Sequence, residues 1–288
     1  MSDLTRTIAF AALMMGGLAL VKIEYASPSS SAQVKPSLYD EVLKRGSIRC
    51  GYTPYSVGLQ KDPNTKIISG IYVDVINSIA KNLELKVEWV EEVGWGQQVE
   101  GLKLHRYDMI CSPVSLTMTR ARAADFSIPL YYSPVHIWGK NGVTQADAQW
   151  KTHLNAPTIK IATLDGEQTQ TLAKSFFPQA QQIALPQSAS FAELLTQVTS
   201  GKADYVFAEP FAVFEYMETN PKSFTRVTSD EPMAVVPNIF LLPAQEVAFQ
   251  RLIDNSLRYL INTGELNLII DKYETYPGSY VRVKPGDF

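Results

Sequence analysis

Between Cys111 and Phe126 the chain reads CSPVSLTMTRARAADF, and four of its residues form a set able to hold an anion: the hydroxyls of Ser112, Ser115 and Thr117 and the guanidinium of Arg120. An arginine presents a planar fork that grips a carboxylate through two parallel charge-assisted hydrogen bonds, which a lysine cannot match. The position of the set adds to its chemistry. The run from Asp108 to Cys111 reads as a buried strand and the Arg/Ala segment after Thr117 reads as a helix, so the hydroxyls fall at a strand-to-helix junction. Unpaired N–H groups of a first helical turn favour negative charge at such a junction. The same residues also allow a plainer reading, in which Thr117 caps a helix and Arg120 pairs with a surface acid.

The elements that must carry these residues alternate between strand and helix. Ser37 can cap a short helix ending at Gly46, with Leu38, Val42 and Leu43 facing inward, and a strand over 47–51 follows. Its end, GYTPYSV, holds Tyr52 and Tyr55 where a doubly wound sheet opens its crevice. Tyr72, Val75, Ile76, Ile79, Ala80 and Leu83 recur at helical spacing, and Lys86 to Glu91 alternates as a strand. Gly94-Trp95-Gly96 then leads into a helix with Val99, Leu102 and Leu104 as apolar positions.

After an extended run over 131–139 and a polar boundary over 139–149, the logic repeats. A strand at 160–163 reaches the Asp165-Gly166 turn, and a helix at 169–177 is stopped by Pro178. Ser190 and Glu193 form a capping box, Phe191, Leu194, Leu195 and Val198 give that helix its apolar face, and Gly201 ends it. The strand from Asp204 to Glu209 ends in a carboxylate just before Pro210 opens a helix. A second extended run over 234–242 precedes two helices, 249–261 and 265–273, separated by Gly264. Such alternation predicts parallel sheets covered on both faces.

With 288 residues, 45% hydrophobic and 19% charged, the chain can form one large or two small domains. A net charge of −3 lacks the basic footprint that nucleic-acid binding needs. Cys50 and Cys111 are too few for a disulfide scaffold, and neither they nor His105, His136 and His153 have metal-ligand spacing, so no metal or cofactor is expected. Ile8 to Val21 is an apolar run of signal-peptide length, preceded by Arg6 and followed by a small-residue site at Ser30-Ser31-Ala32. The expectation is an exported, cleaved protein, the alternative an uncleaved anchor. Export permits a Cys50 to Cys111 disulfide.

The order of these elements, the Ser/Thr turn followed by Arg120, and the run DFSIPLYYS at 125–133 together resemble the periplasmic amino-acid-type solute-binding proteins, family three, over most of the chain after its first thirty-odd residues. The family's turn reads Ser-Gly-Met-Thr-Ile-Thr, with Arg after two more residues. Here the same spacing carries Ser112, Pro113, Val114, Ser115, Leu116, Thr117 and then Arg120. The resemblance implies an α/β, two-lobed periplasmic binding protein-like (type II) fold. Each lobe would be a mainly parallel sheet flanked by helices, the two joined by two hinge crossings. A signal peptide would span 1–32, lobe 1 would take 33–137 and 240–288, and lobe 2 would take 138–239.

It implies also a periplasmic monomer that binds an amino acid or similar small polar solute and delivers it to an ABC transporter permease, with no covalent chemistry. Arg120, with Ser112, Ser115 and Thr117, would hold the carboxylate. An aromatic from the first loop, Tyr52 or Tyr55, would lie over the ligand, and Trp95 would flank it or pack. Glu209, standing where the family usually has Asp, would accept the ammonium. Where the family has Gly-Thr-Thr this chain has Gly166, Glu167 and Gln168, and Glu167 would repel a ligand carboxylate unless it turns away or meets a cation. Pro113 removes a backbone N–H from the turn. The resemblance sets Cys50 and Cys111 on neighbouring strands, where bridging geometry is uncommon. Two alternatives stay open: an enzyme resembling the cyclohexadienyl (prephenate or arogenate) dehydratases, whose second Glu appears here as Ala212, and an anchored ligand-sensing lobe.

Overall fold

A computed structural model describes residues 36–143, 150–228 and 231–288. The apolar run from Ile8 to Val21, the small-residue site at Ser30 to Ala32 and positions 144–149 of the polar boundary lie outside the described residues. Helix α1 (Leu38–Arg45) begins where Ser37 accepts the Asp40 N–H, and it stops at Gly46, whose left-handed backbone returns its N–H to Val42. Leu38 and Val42 are buried, but Leu43, expected on the same face, is 41% exposed, because one further residue turns the side chain about 100° around the axis.

Strand β1 (Ser47–Tyr52) is followed by a small hairpin, β2 (Gln60–Lys61) and β3 (Ile68–Ser69), and by helix α2 (Ile71–Asn82). The expected apolar stripe of α2, Tyr72 to Ala80, is buried. Strand β4 (Lys86–Glu92) alternates between exposed and half-buried residues along its whole length. Helix α3 (Gln98–Lys103) buries Leu102 but ends before Leu104, which is 60% exposed. Strand β5 (Met109–Ser115) leads to α4 (Met118–Ala121), a single turn where the sequence predicts a longer helix, and to β6 (Ala124–Phe126). β1 pairs in parallel with β4 and with β5.

Strand β7 (Tyr131–Lys140) passes from this sheet into the next. Then come α5 (Trp150–Leu154), β8 (Lys160–Leu164), α6 (Gln168–Phe176), β9 (Gln181–Leu185), α7 (Phe191–Thr199), β10 (Tyr205–Ala208), α8 (Pro210–Thr219) and β11 (Phe224–Arg226). β8 pairs in parallel with β9 and β10, and the Ser190–Glu193 capping box starts α7 as the sequence predicts. The long β12 (Ala234–Pro243) returns to the first sheet, and α9 (Val247–Asn262), α10 (Glu265–Tyr273) and β13 (Val281–Arg282) complete the chain. The strand order is β4-β1-β5-β12-β7-β10-β8-β9. Each half is thus a parallel trio closed by an antiparallel strand, the two-lobed type II arrangement.

The first half of β7, Tyr131 to Val135, pairs with β12 from Ala234 to Asn238, while its second half pairs with β10. Asn238 ties the two crossing strands further, donating from Nδ2 to Ser133 Oγ at 2.8 Å. In the first lobe Cys50 and Cys111 form a disulfide, Cα to Cα 5.4 Å. The expectation that neighbouring strands rarely bridge yields to register here. Cys50 pairs with Met109, so Cys111 lies two residues on, diagonal to Cys50 and on the same face of the sheet.

Candidate ligand-binding site

The carboxyl ends of β1, β5, β8 and β10 carry the residues that face one another across the two lobes. Arg120 follows β5, is only 6% exposed, and spreads its guanidinium over three backbone carbonyls. Nη1 donates to Ser115 at 3.0 Å, and Nη2 donates to Trp95 at 3.3 Å and to Gly166 at 3.0 Å. The last of these crosses from one lobe to the other. Three of the five guanidinium N–H donors are thereby used, leaving two for a ligand. Burial lowers the Arg120 pKa, and the Glu167 carboxylate acts against that fall.

Glu209 follows β10 directly, at the N-cap position before Pro210, the first residue of α8. It is 9% exposed, and its Oε2 accepts the Tyr55 hydroxyl at 2.5 Å from the other lobe. Burial first, and then the charge of Glu167, push its carboxyl up from 4.5 to about 7, although the Tyr55 hydrogen bond pulls the other way. The Tyr55 ring meets Trp95, Phe191 and Phe211 edge to face, at centroid distances of 5.6, 5.3 and 5.9 Å. These rings set apolar edges around the Tyr55 ring, whose hydroxyl reaches Glu209.

The two backbones approach closely beside Arg120. Gly166 has φ +72, and a Cβ there would stand 2.9 Å from the Gly96 Cα. Gly96 donates its N–H to Gln187 Oε1 at 2.9 Å, a further direct link between the lobes beside those of Arg120 and Tyr55. Only glycine allows that turn and that proximity together.

The expected residues sort unequally. Arg120, Glu209, Tyr55 and Trp95 converge. Tyr52 does not: it turns into the first lobe, edge-on to Trp89 at 5.6 Å and packed with Leu59 and Val73. Ser112 is fully buried and its Oγ accepts the Thr53 N–H at 3.1 Å, so it holds the β1 loop instead of a ligand. Thr117 Oγ1 accepts the Arg120 N–H at 3.2 Å, which is capping, and a one-turn helix brings no extended dipole to the carboxylate. Ser115 contributes its carbonyl to Arg120, and its half-buried hydroxyl bonds to no described residue.

Glu167 caps α6 by accepting the Thr169 N–H at 2.6 Å, so one carboxylate oxygen is committed to its own helix, yet its field still reaches Arg120 and Glu209. Gln168 is buried at the first position of that helix. The sequence marks Phe191 only as part of a helix's apolar face, and it does not mark Phe211 or Gln187 at all. The only signal they gave was their place at helix starts or loops following strands of the second lobe.

The arrangement defines a two-lobed solute-binding protein. The chain belongs to the bacterial extracellular solute-binding proteins, family 3, whose sequence profile matches residues 48–276. It is 23% identical over 256 residues to the cyclohexadienyl dehydratase of Pseudomonas aeruginosa, covering 86% of this chain and 90% of that one. It is 24% identical over 249 residues to the L-cystine-binding protein TcyA of Bacillus subtilis, covering 82% and 84%. The crystal structure of an ancestral amino acid-binding protein described as a precursor of cyclohexadienyl dehydratase superposes with a TM-score of 0.70 at 26% identity, over 83% of this chain and 99% of that one. Among the described residues no helix is long and apolar enough to cross a membrane, and no group of three or more His, Cys, Asp or Glu side chains is set to hold a metal.

Proposed function

We propose that this protein binds a small amino acid or related zwitterion between its lobes, the carboxylate on Arg120 and the ammonium on Glu209. It hands the solute to an ABC transporter permease, acting as a periplasmic monomer with its leader removed. The lobes are taken as 33–137 with 240–288, and 138–239. One observation carries the reading. Arg120 and Glu209 are both buried and stand on opposite lobes, and among the described residues neither has an oppositely charged partner at hydrogen-bond distance: Arg120 meets carbonyls, and Glu209 meets a tyrosine hydroxyl.

Buried charges are ordinarily paired. A zwitterion supplies both missing partners, and because neither lobe alone can hold both ends, its contacts favour the closed form. Charge-assisted hydrogen bonds contribute about 1.5 to 3 kcal/mol each, so three or four, with burial against Tyr55 and Trp95, reach the ~8 kcal/mol of micromolar binding. A thermal-shift screen over amino acids and their deaminated analogues, followed by calorimetry on Glu209→Gln, tests the assignment. The variant is expected to lose affinity for ammonium-bearing ligands and much less for the deaminated set. Equal losses for both sets remove Glu209 from the ligand.

A second reading, catalysis on the same scaffold, is favoured by the Glu209 carboxyl near 7, a value suited to a general acid, and by the dehydratase relative. Against it stands Ala212, a buried core residue where a second carboxylate would be needed. Turnover of prephenate or arogenate, followed by absorbance, would replace the transport assignment.

A further inference from the structure

Glu209 stands at the N-cap of α8, yet its side chain makes no cap bond. The other acid beside the cleft behaves differently: Glu167, at the N-cap of α6, gives a carboxylate oxygen to the Thr169 N–H. Ser37, Thr117 and Ser190 likewise spend their side chains on their own helices. The Glu209 carboxylate is held instead by a residue 154 positions away on the other lobe, Tyr55, whose hydroxyl donates to Oε2 at 2.5 Å.

Two features fix that hydroxyl in place. The backbone of Tyr55 is anchored in its loop, its N–H donating to the Leu59 carbonyl at 2.8 Å and its own carbonyl accepting from Gly58 and Leu59 at 3.2 and 3.3 Å. Its buried ring is wedged edge to face among Trp95 of its own lobe and Phe191 and Phe211 of the other. Burial, and next the charge of Glu209, hold the Tyr55 hydroxyl well above its ordinary pKa, so it remains a donor at neutral pH.

A donor favours the charged form of the acid it meets. Burial and the like charge of Glu167, facing Glu209 from α6, favour the neutral form, and the Tyr55 bond opposes them. Tyr131 of β7 and Tyr280 of the C-terminal segment lie within reach of the Glu209 charge. His136, paired with Ala208 one residue before Glu209, has its Nδ1 3.1 Å from Thr228 Oγ1.

We propose that Tyr55 is a positioning residue that acts through Glu209: its hydroxyl, anchored on one lobe, fixes the acid of the other and biases it toward the carboxylate that a solute's ammonium requires. The purpose of the bond rests on the cleft reading given above, but the bond can be tested without a solute.

The full chain, with glutamate labelled at the side-chain carboxyl carbon, is titrated by carbon NMR, and the Glu209 signal is assigned by its loss in Glu209→Gln. Tyr55→Phe keeps the ring and removes the donor, so the carboxyl should titrate about one pH unit or more higher. Urea unfolding should show the same displacement. The stability that neutral Glu209 contributes is lost as pH rises through its folded pKa, so in Tyr55→Phe that loss moves to higher pH. If Tyr55→Phe fails to fold by circular dichroism, a ring-fluorinated tyrosine placed at position 55, a stronger donor, decides the matter by moving the carboxyl to lower pH. An unchanged or lowered titration in Tyr55→Phe, or an unmoved one with the fluorinated ring, overturns the proposal. Equal affinity losses of Glu209→Gln for ammonium-bearing and deaminated ligands, beside a shift of the expected size, overturn the cleft reading and leave the Tyr55 bond standing.

Discussion

An ammonium that lands on Glu209 needs a carboxylate there, yet burial and the charge of Glu167 let the carboxyl keep its proton up to about pH 7, against an ordinary 4.5. Burial is the larger cause of that rise and the charge of Glu167 adds to it. Placing a cation beside Glu209 reverses the balance, so ligand binding should expel a proton. One pH unit below the free value about 0.9 proton should leave per ligand, at that value about 0.5, and one unit above about 0.1. Affinity should climb about tenfold across the same interval and level off above it.

The same group acts on the fold with a definite sign. Its folded pKa lies above the ordinary one, so the neutral form's contribution, about 3 kcal/mol, is fully present below about pH 4.5 and is lost as pH rises through about 7. Calorimetry in buffers of differing ionisation enthalpy reads the proton count directly. Replacing Glu209 by Gln should bring that count to zero. Zero or negative release below neutrality in the unmodified protein, or a release that survives Glu209→Gln, refutes the reasoning.

Arg120→Ala removes the guanidinium set between the lobes at this point and would leave a ligand carboxylate buried and unpaired, so affinity should fall by roughly 3 to 5 kcal/mol; a loss under about tenfold by calorimetry counts against its role. Gly166→Ala combines a left-handed backbone with a Cβ placed 2.9 Å from the Gly96 Cα, so the lobes should be held apart. Solution scattering should report a larger radius of gyration with ligand, and an unchanged radius and affinity would sink the idea. Cys50→Ser with Cys111→Ser opens a loop of sequence separation 61, which chain-entropy arguments value at about 4 kcal/mol. Urea unfolding that finds a loss below ~1 kcal/mol would mean that the bridge does not constrain the unfolded chain.

Local rules made much of the framework readable. Ser37, Ser190 and Glu193 mark helix starts by hydroxyl and carboxylate chemistry confined to four residues, and the stripe from Tyr72 to Ala80 follows from periodicity alone. Arg120 and Glu209 stand out because each lies just beyond the carboxyl end of a strand, where sheets of this kind open. The choice between Tyr52 and Tyr55 was not readable, since it turns on whether Trp89 and Lys61 or Glu209 and Phe191 are the neighbours. Ser112 misled for a similar reason: a hydroxyl in the right turn had already been claimed by the Thr53 N–H, 59 positions away. Asp108, buried beneath Arg45 and Arg49, and the Gly96 to Gln187 link likewise depend on partners far apart in the chain, which no local pattern announces.

The ribbon made by β7 and β12, zipped from Tyr131 to Val135, limits how the molecule can move. Separate tethers would allow sliding and swivelling, whereas a paired ribbon leaves a single arc of travel. If a solute closes the lobes as proposed, a guest of the wrong length would halt the swing part-way, with no sideways shift to accommodate it. A partner touching only the outside of the molecule would then read the cargo as an angle.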